Sequence, residues 1–491
     1  MPARARALAW SVLLWARQLR AEPRRWKTIK PPSLVKPTEQ NFCSLYDWHI
    51  GQATFATQAL DSTRALLHLD VLAEARPDDW ENHHRRGIIQ LQMIGDLDEA
   101  IRQFAAARAI REAALPAGVT KPPFRFLDAF WGYQIGHIAN LEHLIKREIL
   151  RGKDPKNLVM YFPADAKPGN RALLDKMAGL ISLVSNEADL PQPRSVMTSV
   201  MEEYYVCESI DGRLKHWWHA SPEIFEAWET AGRGPLLSFS PTEAAEGRKT
   251  LSRLGLPDGA WFVPLHVRES SFKEQQGYGA IESILNADVA AYAKAVHAIA
   301  ERGGWVVRIG HEKSPALPPL PNVIDYAHSA HRSPAADLYI LGAGRFFIGT
   351  SSGPAYVPPL FGIPCVLTNW APTGQRPFNA RDLYILKTYE EPARGGSAAR
   401  PLKFAEFLGP PVGYAASSVE ARSLVAVPNT PDEICEVVVE MLDRLDGQSD
   451  RGADVALLQA RFDAVARASS CIGNAQVGAA FLRRHADRGS V

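Results

Sequence analysis

Between residues 241 and 445, short apolar runs alternate with segments of helical period, and this alternation constrains the fold more than any other feature of the chain. The runs are Trp261-Phe262-Val263-Pro264-Leu265, Trp305-Val306-Val307-Arg308-Ile309, Asn322-Val323-Ile324-Asp325-Tyr326, Arg345-Phe346-Phe347-Ile348 and Cys365-Val366-Leu367-Thr368. Between them the period predicts helices over 287–301, 334–342 and 354–361, with Gly303-Gly304 and Gly362 as stops. Strands apolar on both faces need cover on both faces, and intervening helices supply the crossovers that parallel strands require. The reading is therefore α/β with a parallel sheet, in which ligands bind beyond the carboxyl ends of the strands.

Two motifs sit at such ends. The first is Leu265-His266-Val267-Arg268-Glu269. Alternation along the strand puts His266 and Arg268 on one face, where the planar guanidinium suits two phosphate oxygens. Histidine can hydrogen-bond a phosphate or ribose, or change charge near neutral pH. Glu269 reads either as a catalytic base or as an ion-pair partner of Arg268 or Arg308. The second motif is Gly349-Thr350-Ser351-Ser352-Gly353-Pro354. Its glycines allow close backbone approach, its hydroxyls exceed what one helix cap needs, and Pro354 suits a first helical turn. Hydroxyls and N–H groups at a helix start make an anion site. Arg308 closes a neighbouring strand, and Asp325 and His328 follow the next, where a ribose or base could be read. Gly136-His137 opens a helix in the preceding α/β unit, and its glycine would let backbone approach a donor or acceptor.

Four regions follow from the pattern: a helical region 1–118, an α/β unit 119–240 on the acceptor side, an α/β unit 241–445 that binds nucleotide, and a helical segment 446–491. In the first, Gly95-Asp96-Leu97-Asp98-Glu99-Ala100-Ile101, then Phe104 and Ala107, resembles the turn and second helix of a tetratricopeptide repeat. Fewer than three repeats rarely stand alone, so the expectation is a helical layer with a structural role.

Composition excludes several classes. A net charge of +1 leaves no excess of basic residues for general nucleic-acid binding. The five cysteines are scattered without CxxC spacing, as in a reduced, cytoplasmic chain rather than a disulfide or zinc framework. No paired acidic motif follows a strand where a metal would bridge phosphates, so neither metal nor cofactor is expected. Residues 1–30 carry Arg4, Arg6, Arg17, Arg20, Arg24, Arg25, Lys27 and Lys30 around an apolar stretch too short to span a bilayer. Two readings stand: a helix lying against the inner membrane surface, or one docked on the protein's own body.

The runs Trp305 to Arg308, Pro321 to Tyr326, Arg345 to Gly353 and Phe361-Gly362-Ile363-Pro364, with His266-Val267-Arg268-Glu269 and Gly136-His137, resemble a family of bacterial glycosyltransferases met beside surface-polysaccharide genes. More distantly, His-x-Arg followed by a Ser/Thr-Ser-Gly turn is similar to the fucosyltransferase-type enzymes. The resemblance implies the GT-B architecture of two Rossmann-like domains, with Arg268 on the donor's diphosphate, Thr350 to Ser352 on the nucleotide, and a nucleotide sugar and a glycan as substrates. Glu269-Ser270-Ser271 stands where the fucosyltransferase pattern has an aspartate, so the resemblance names neither sugar nor base. It also implies catalysis by Arg268, with Glu269 or His137 as base. An epimerase or hydrolase on the same cradle, or a non-catalytic scaffold, remain the rival readings.

Overall fold

The computed structural model describes residues 39–58, 61–114, 124–192, 198–199, 206–269, 284–317, 319–393, 398–414, 416–448 and 451–489. The basic segment 1–30 and Ser270-Ser271 lie outside them. The chain divides into two compact units, Met1–Lys121 and Pro122–Val491.

The first unit is helical, with α1 (Glu39–Gln58), α2 (Ser62–Ala75), α3 (Trp80–Ile89) and α4 (Leu97–Ala113). Asp61, Asp79 and Asp96 cap α2, α3 and α4 by accepting from the amides of Arg64, Glu81 and Glu99. A π turn, Gln90–Ile94, extends α3 to Gly95, whose φ of 80° turns the chain into α4. Gly87 is where the two helices close on each other: a Cβ there would sit 2.9 Å from the Phe104 ring.

The second unit holds two parallel sheets. The smaller one comprises β1 (Arg125–Leu127), β2 (Leu158–Tyr161), β3 (Ser182–Val184) and β4 (Thr198–Ser199), in the order β3-β2-β1-β4. Helix α5 (Ile135–Leu150) joins β1 to β2, and α6 (Arg171–Ala178) joins β2 to β3. Asn170 caps α6 through its side-chain oxygen.

The larger sheet comprises β5 (Phe262–His266), β6 (Trp305–Ile309), β7 (Val323–Ile324), β8 (Phe347–Gly349), β9 (Cys365–Trp370), β10 (Leu383–Leu386) and β11 (Gln476–Val477). Its order is β11-β10-β9-β8-β5-β6-β7, and every neighbouring pair is parallel. The chain starts at β5, steps outward to β6 and β7, then returns to the other side of β5 for β8 and the strands beyond. Strand order therefore reverses between β5 and β8. The α/β alternation expected from the sequence is present, and the strands are buried as the apolar runs required.

One sequence expectation is corrected and one gains a strand. The helix expected over 354–361 is a pair of 3-10 turns, Gly353–Tyr356 and Pro358–Phe361. Pro358 and Pro359 lack the amide donors that α-helical bonds back to Pro354 and Ala355 would need, although Val357 itself keeps α-region dihedrals (φ −81°, ψ −45°). The segment 446–491 is helical over Gly452–Ala468 and Ala479–Arg484, and between these helices Gln476–Val477 adds the edge strand β11, pairing with Leu383 and Tyr384. Among the described residues no helix is long and apolar enough to cross a membrane.

Candidate functional site

His266 closes β5, Gly349 closes β8, and the two are register partners. Beyond their carboxyl ends lies the switch point of the sheet, the place where open α/β sheets bind ligands. Both sequence motifs open there.

Hydrogen bonds knit the motifs together. The Thr350 N–H donates to the His266 carbonyl over 3.3 Å, and the Arg268 N–H donates to Thr350 Oγ1 over 2.9 Å. Ser352 Oγ donates to the Thr350 carbonyl at 3.1 Å and lies 2.9 Å from His266 Nδ1. A hydroxyl has one proton and a carbonyl can only accept, so both bonds coexist only when His266 Nδ1 carries a proton and donates to Ser352. The basic lone pair of His266 then sits on Nε2. Burial, with the charges of Arg308 and Arg268, pushes this imidazole down to about 4. The expectation of a charge change near neutral pH is thereby corrected: His266 is a neutral ring throughout that range.

The turn's hydroxyls also tie it to its neighbours: Ser351 Oγ accepts from the Ala371 amide over 2.9 Å, Thr350 Oγ1 accepts from Arg268, and Ser352 bonds to the Thr350 carbonyl and His266. Ser351 only accepts in its bond, so its O–H proton is left for a ligand. The amides of Ser351 and Ser352 likewise donate to nothing among the described residues. The turn leads into a four-residue 3-10 segment, so the expected contribution of an α-helix start is absent. Gly349 is required by packing: a Cβ would lie 2.4 Å from the Phe347 ring and 3.1 Å from the His266 carbonyl.

Arg308, Glu269, Asp325 and His328 form a second cluster at the same rim. The Arg308 guanidinium is 1% exposed, donating to Glu269 Oε2 at 3.0 Å and to both Asp325 oxygens at 3.1 and 3.2 Å. Asp325 Oδ2 lies 3.1 Å from His328 Nδ1, whose other ring nitrogen is 2.9 Å from the Ser314 carbonyl. Of the two readings of Glu269, the structure displays the ion pair with Arg308. Burial nonetheless holds the Glu269 carboxyl above its ordinary value. Arg308 itself faces two carboxylates, whereas Arg268, half-buried, leaves the end of β5 with its backbone fixed by Thr350.

Gly136 and His137, at the start of α5, reach this place from the smaller sheet. A Cβ on Gly136 would sit 2.6 Å from Gly353 Cα, so what this glycine admits is the turn's own backbone. The His137 ring packs on Phe130 at 4.3 Å, with Nδ1 3.3 Å from the Phe130 carbonyl. That carbonyl only accepts, which puts the proton on Nδ1 and the basic lone pair on Nε2.

Sequence reasoning passed over one neighbouring feature. Asn140, Glu142 and His143 of α5 line a cavity of about 40 Å³ with Tyr356, Trp370 and Asp382. It has room for a few waters and none for a sugar. Burial raises the Asp382 carboxyl to about 8, and its Oδ1 accepts from the Cys365 amide at 2.8 Å. Nothing in the local sequence marks Asp382, whose burial comes from residues distant in the chain, Cys365 and Gln476 among them. Among the described residues no group of three or more His, Cys, Asp or Glu side chains is arranged to hold a metal ion.

Comparison with known proteins gives little beyond this geometry. No family model matches the sequence, and no curated protein matches it. A solved structure, the glycosyl transferase family 9 protein from Veillonella parvula DSM 2008, resembles 55% of this chain and 87% of its own at 12% identity, with a TM-score of 0.31. So distant a likeness leaves the functional reading to the site.

Proposed function

We propose that residues 122–491 form a GT-B-type glycosyltransferase that moves a sugar from a nucleoside-diphosphate sugar to a hydroxyl of a glycan. The observation that carries this reading is the junction of Arg268 with the Thr350–Gly353 turn at the switch point between β5 and β8. An arginine whose backbone is fixed there, beside two amides without acceptors among the described residues, suits a diphosphate.

In the reaction, the acceptor oxygen attacks the anomeric carbon, and the bond from that carbon to the β-phosphate oxygen breaks. The electron pair leaves with the diphosphate, where Arg268 and the Ser351 and Ser352 amides neutralise the growing charge without a metal. The acceptor proton passes to His137 Nε2. His137 is the better base because Glu269 is bound to Arg308 with its side chain 8% exposed. His266 donates to Ser352 and holds the turn, and the Arg308–Asp325–His328 cluster forms the wall against which ribose or base would lie.

The helical unit is read as a tetratricopeptide-like layer with a structural role, and residues 1–30 as a contact with the inner membrane surface. The proposed setting is surface-polysaccharide assembly on the cytoplasmic side. The test is a product assay with nucleotide sugars and bacterial surface saccharides. Sugar transfer to the saccharide, lost in Arg268→Ala, supports the reading. Free sugar or an epimerised donor, formed at the same rate without acceptor, contradicts it in favour of a hydrolase or epimerase.

A further inference from the structure

Tyr133 stands out among the exposed aromatic side chains because of its place: half of it, 50%, is open to solvent at the carboxyl edge of the smaller sheet. It ends the one-turn helix Phe130–Tyr133, which follows β1 directly and leads through Gln134 into α5. Its ring is braced from beneath by Phe162, the residue after β2, with centroids 5.2 Å apart and planes at 58°. Phe162 is itself 3% exposed. The brace is built into the backbone, since a Cβ on Gly132 would lie 2.3 Å from the Phe162 ring. A second clamp holds the neighbouring loop: the Gly169 N–H donates to the Gly132 carbonyl at 2.9 Å. A Cβ on Gly169 would meet the Ile135 nitrogen at 2.4 Å. The exposed polar side chains of Gln134, Asp165 and Lys167 belong to these same two segments.

We infer that Tyr133 is the stacking platform for a saccharide acceptor, an inference that rests on the glycosyltransferase reading above. A pyranose presents an apolar C–H face and a rim of hydroxyls, and a half-exposed ring braced on Phe162, on segments that also carry amide, carboxylate and ammonium groups, matches both. An aromatic ring supplies contact area at low entropic cost, because it has only two side-chain torsions to order. Position selects the acceptor rather than the donor. Three residues span at most about 11 Å, so Tyr133 lies within that reach of Gly136. Gly136 in turn touches Gly353 at the diphosphate turn. A saccharide lying on Tyr133 would thus extend its terminal hydroxyl toward His137 and the anomeric carbon.

The experiment measures binding of an array of bacterial surface oligosaccharides to the full chain, and of nucleoside diphosphates by calorimetry, for wild type, Tyr133→Ala and Tyr133→Trp. The expected result is saccharide binding weakened about tenfold or more in Tyr133→Ala, kept in Tyr133→Trp, with nucleotide affinity equal in all three. Equal saccharide binding by wild type and Tyr133→Ala overturns the platform. So does the absence of any saccharide binding by a wild type that still binds nucleotide, and that outcome leaves the donor reading standing. Loss of both ligands from wild type removes the two readings together.

Discussion

The amide of Arg268 donates to the hydroxyl of Thr350 across 2.9 Å, joining residues 82 positions apart at the one place where the strand order of the large sheet reverses. Thr350 is fully buried. Thr350→Val keeps the shape of the side chain and removes the acceptor, leaving a buried N–H without a partner. The expected cost is about 1–3 kcal/mol in urea unfolding, and Thr350→Ser should recover most of it.

Arg268 and Arg308 are expected to separate cleanly. Arg308 is 1% exposed between Glu269 and Asp325, so Arg308→Gln leaves two carboxylates facing each other. Removing one partner of a buried pair costs about 3–5 kcal/mol, and the loss should shrink in acid as Glu269, its carboxyl already held above its ordinary value by burial, takes up a proton. Arg268→Ala should remove nucleotide binding. Denaturant unfolding at pH 5 and pH 7, with calorimetry for the nucleotide, tests both halves.

Gly136→Ala is expected to force the start of α5 away from the turn. The new methyl would sit 2.6 Å from Gly353 Cα, and backbone cannot swing aside as a flexible side chain can. A destabilisation of about 1–3 kcal/mol is expected, with faster amide exchange across 350–356 as the local signature.

Two buried groups give opposite slopes of stability with pH. Asp382 is raised from 3.8 to about 8, so the folded state holds its proton while the unfolded state releases it. Its contribution is full below pH 4 and is lost as pH rises toward 8. His266 is lowered from 6.5 to about 4, so its contribution is present above pH 6.5 and is lost as pH falls toward 4. Asp382→Asn keeps the acceptor for the Cys365 amide and should flatten the alkaline decline. Unchanged slopes in that variant would contradict the assignment.

The parallel sheet and the position of both motifs were legible because they depend on local patterns: apolar runs buried on both faces, and polar residues just past their ends. Tertiary partners were not legible. Arg308 reads in sequence as a cation at the rim, and only the fold shows Glu269 and Asp325 on either side of its guanidinium. The turn's hydroxyls read as ligands for phosphate, and only the fold shows that they also bond His266, Arg268 and Ala371. The expected helix after Ser352 failed at Pro358-Pro359, where the rule against proline outweighed the apolar period. The edge strand Gln476–Val477 was hidden because two residues show no alternation at all.

The most direct test of the central claim is calorimetric titration of the full chain with a panel of nucleoside diphosphates, comparing wild type, Arg268→Ala and Arg308→Gln. The account predicts saturable binding of at least one nucleotide by wild type, abolished in Arg268→Ala, and weakened but still measurable in the folded fraction of Arg308→Gln. Equal binding by wild type and Arg268→Ala, or no binding of any nucleoside diphosphate by wild type, would contradict it.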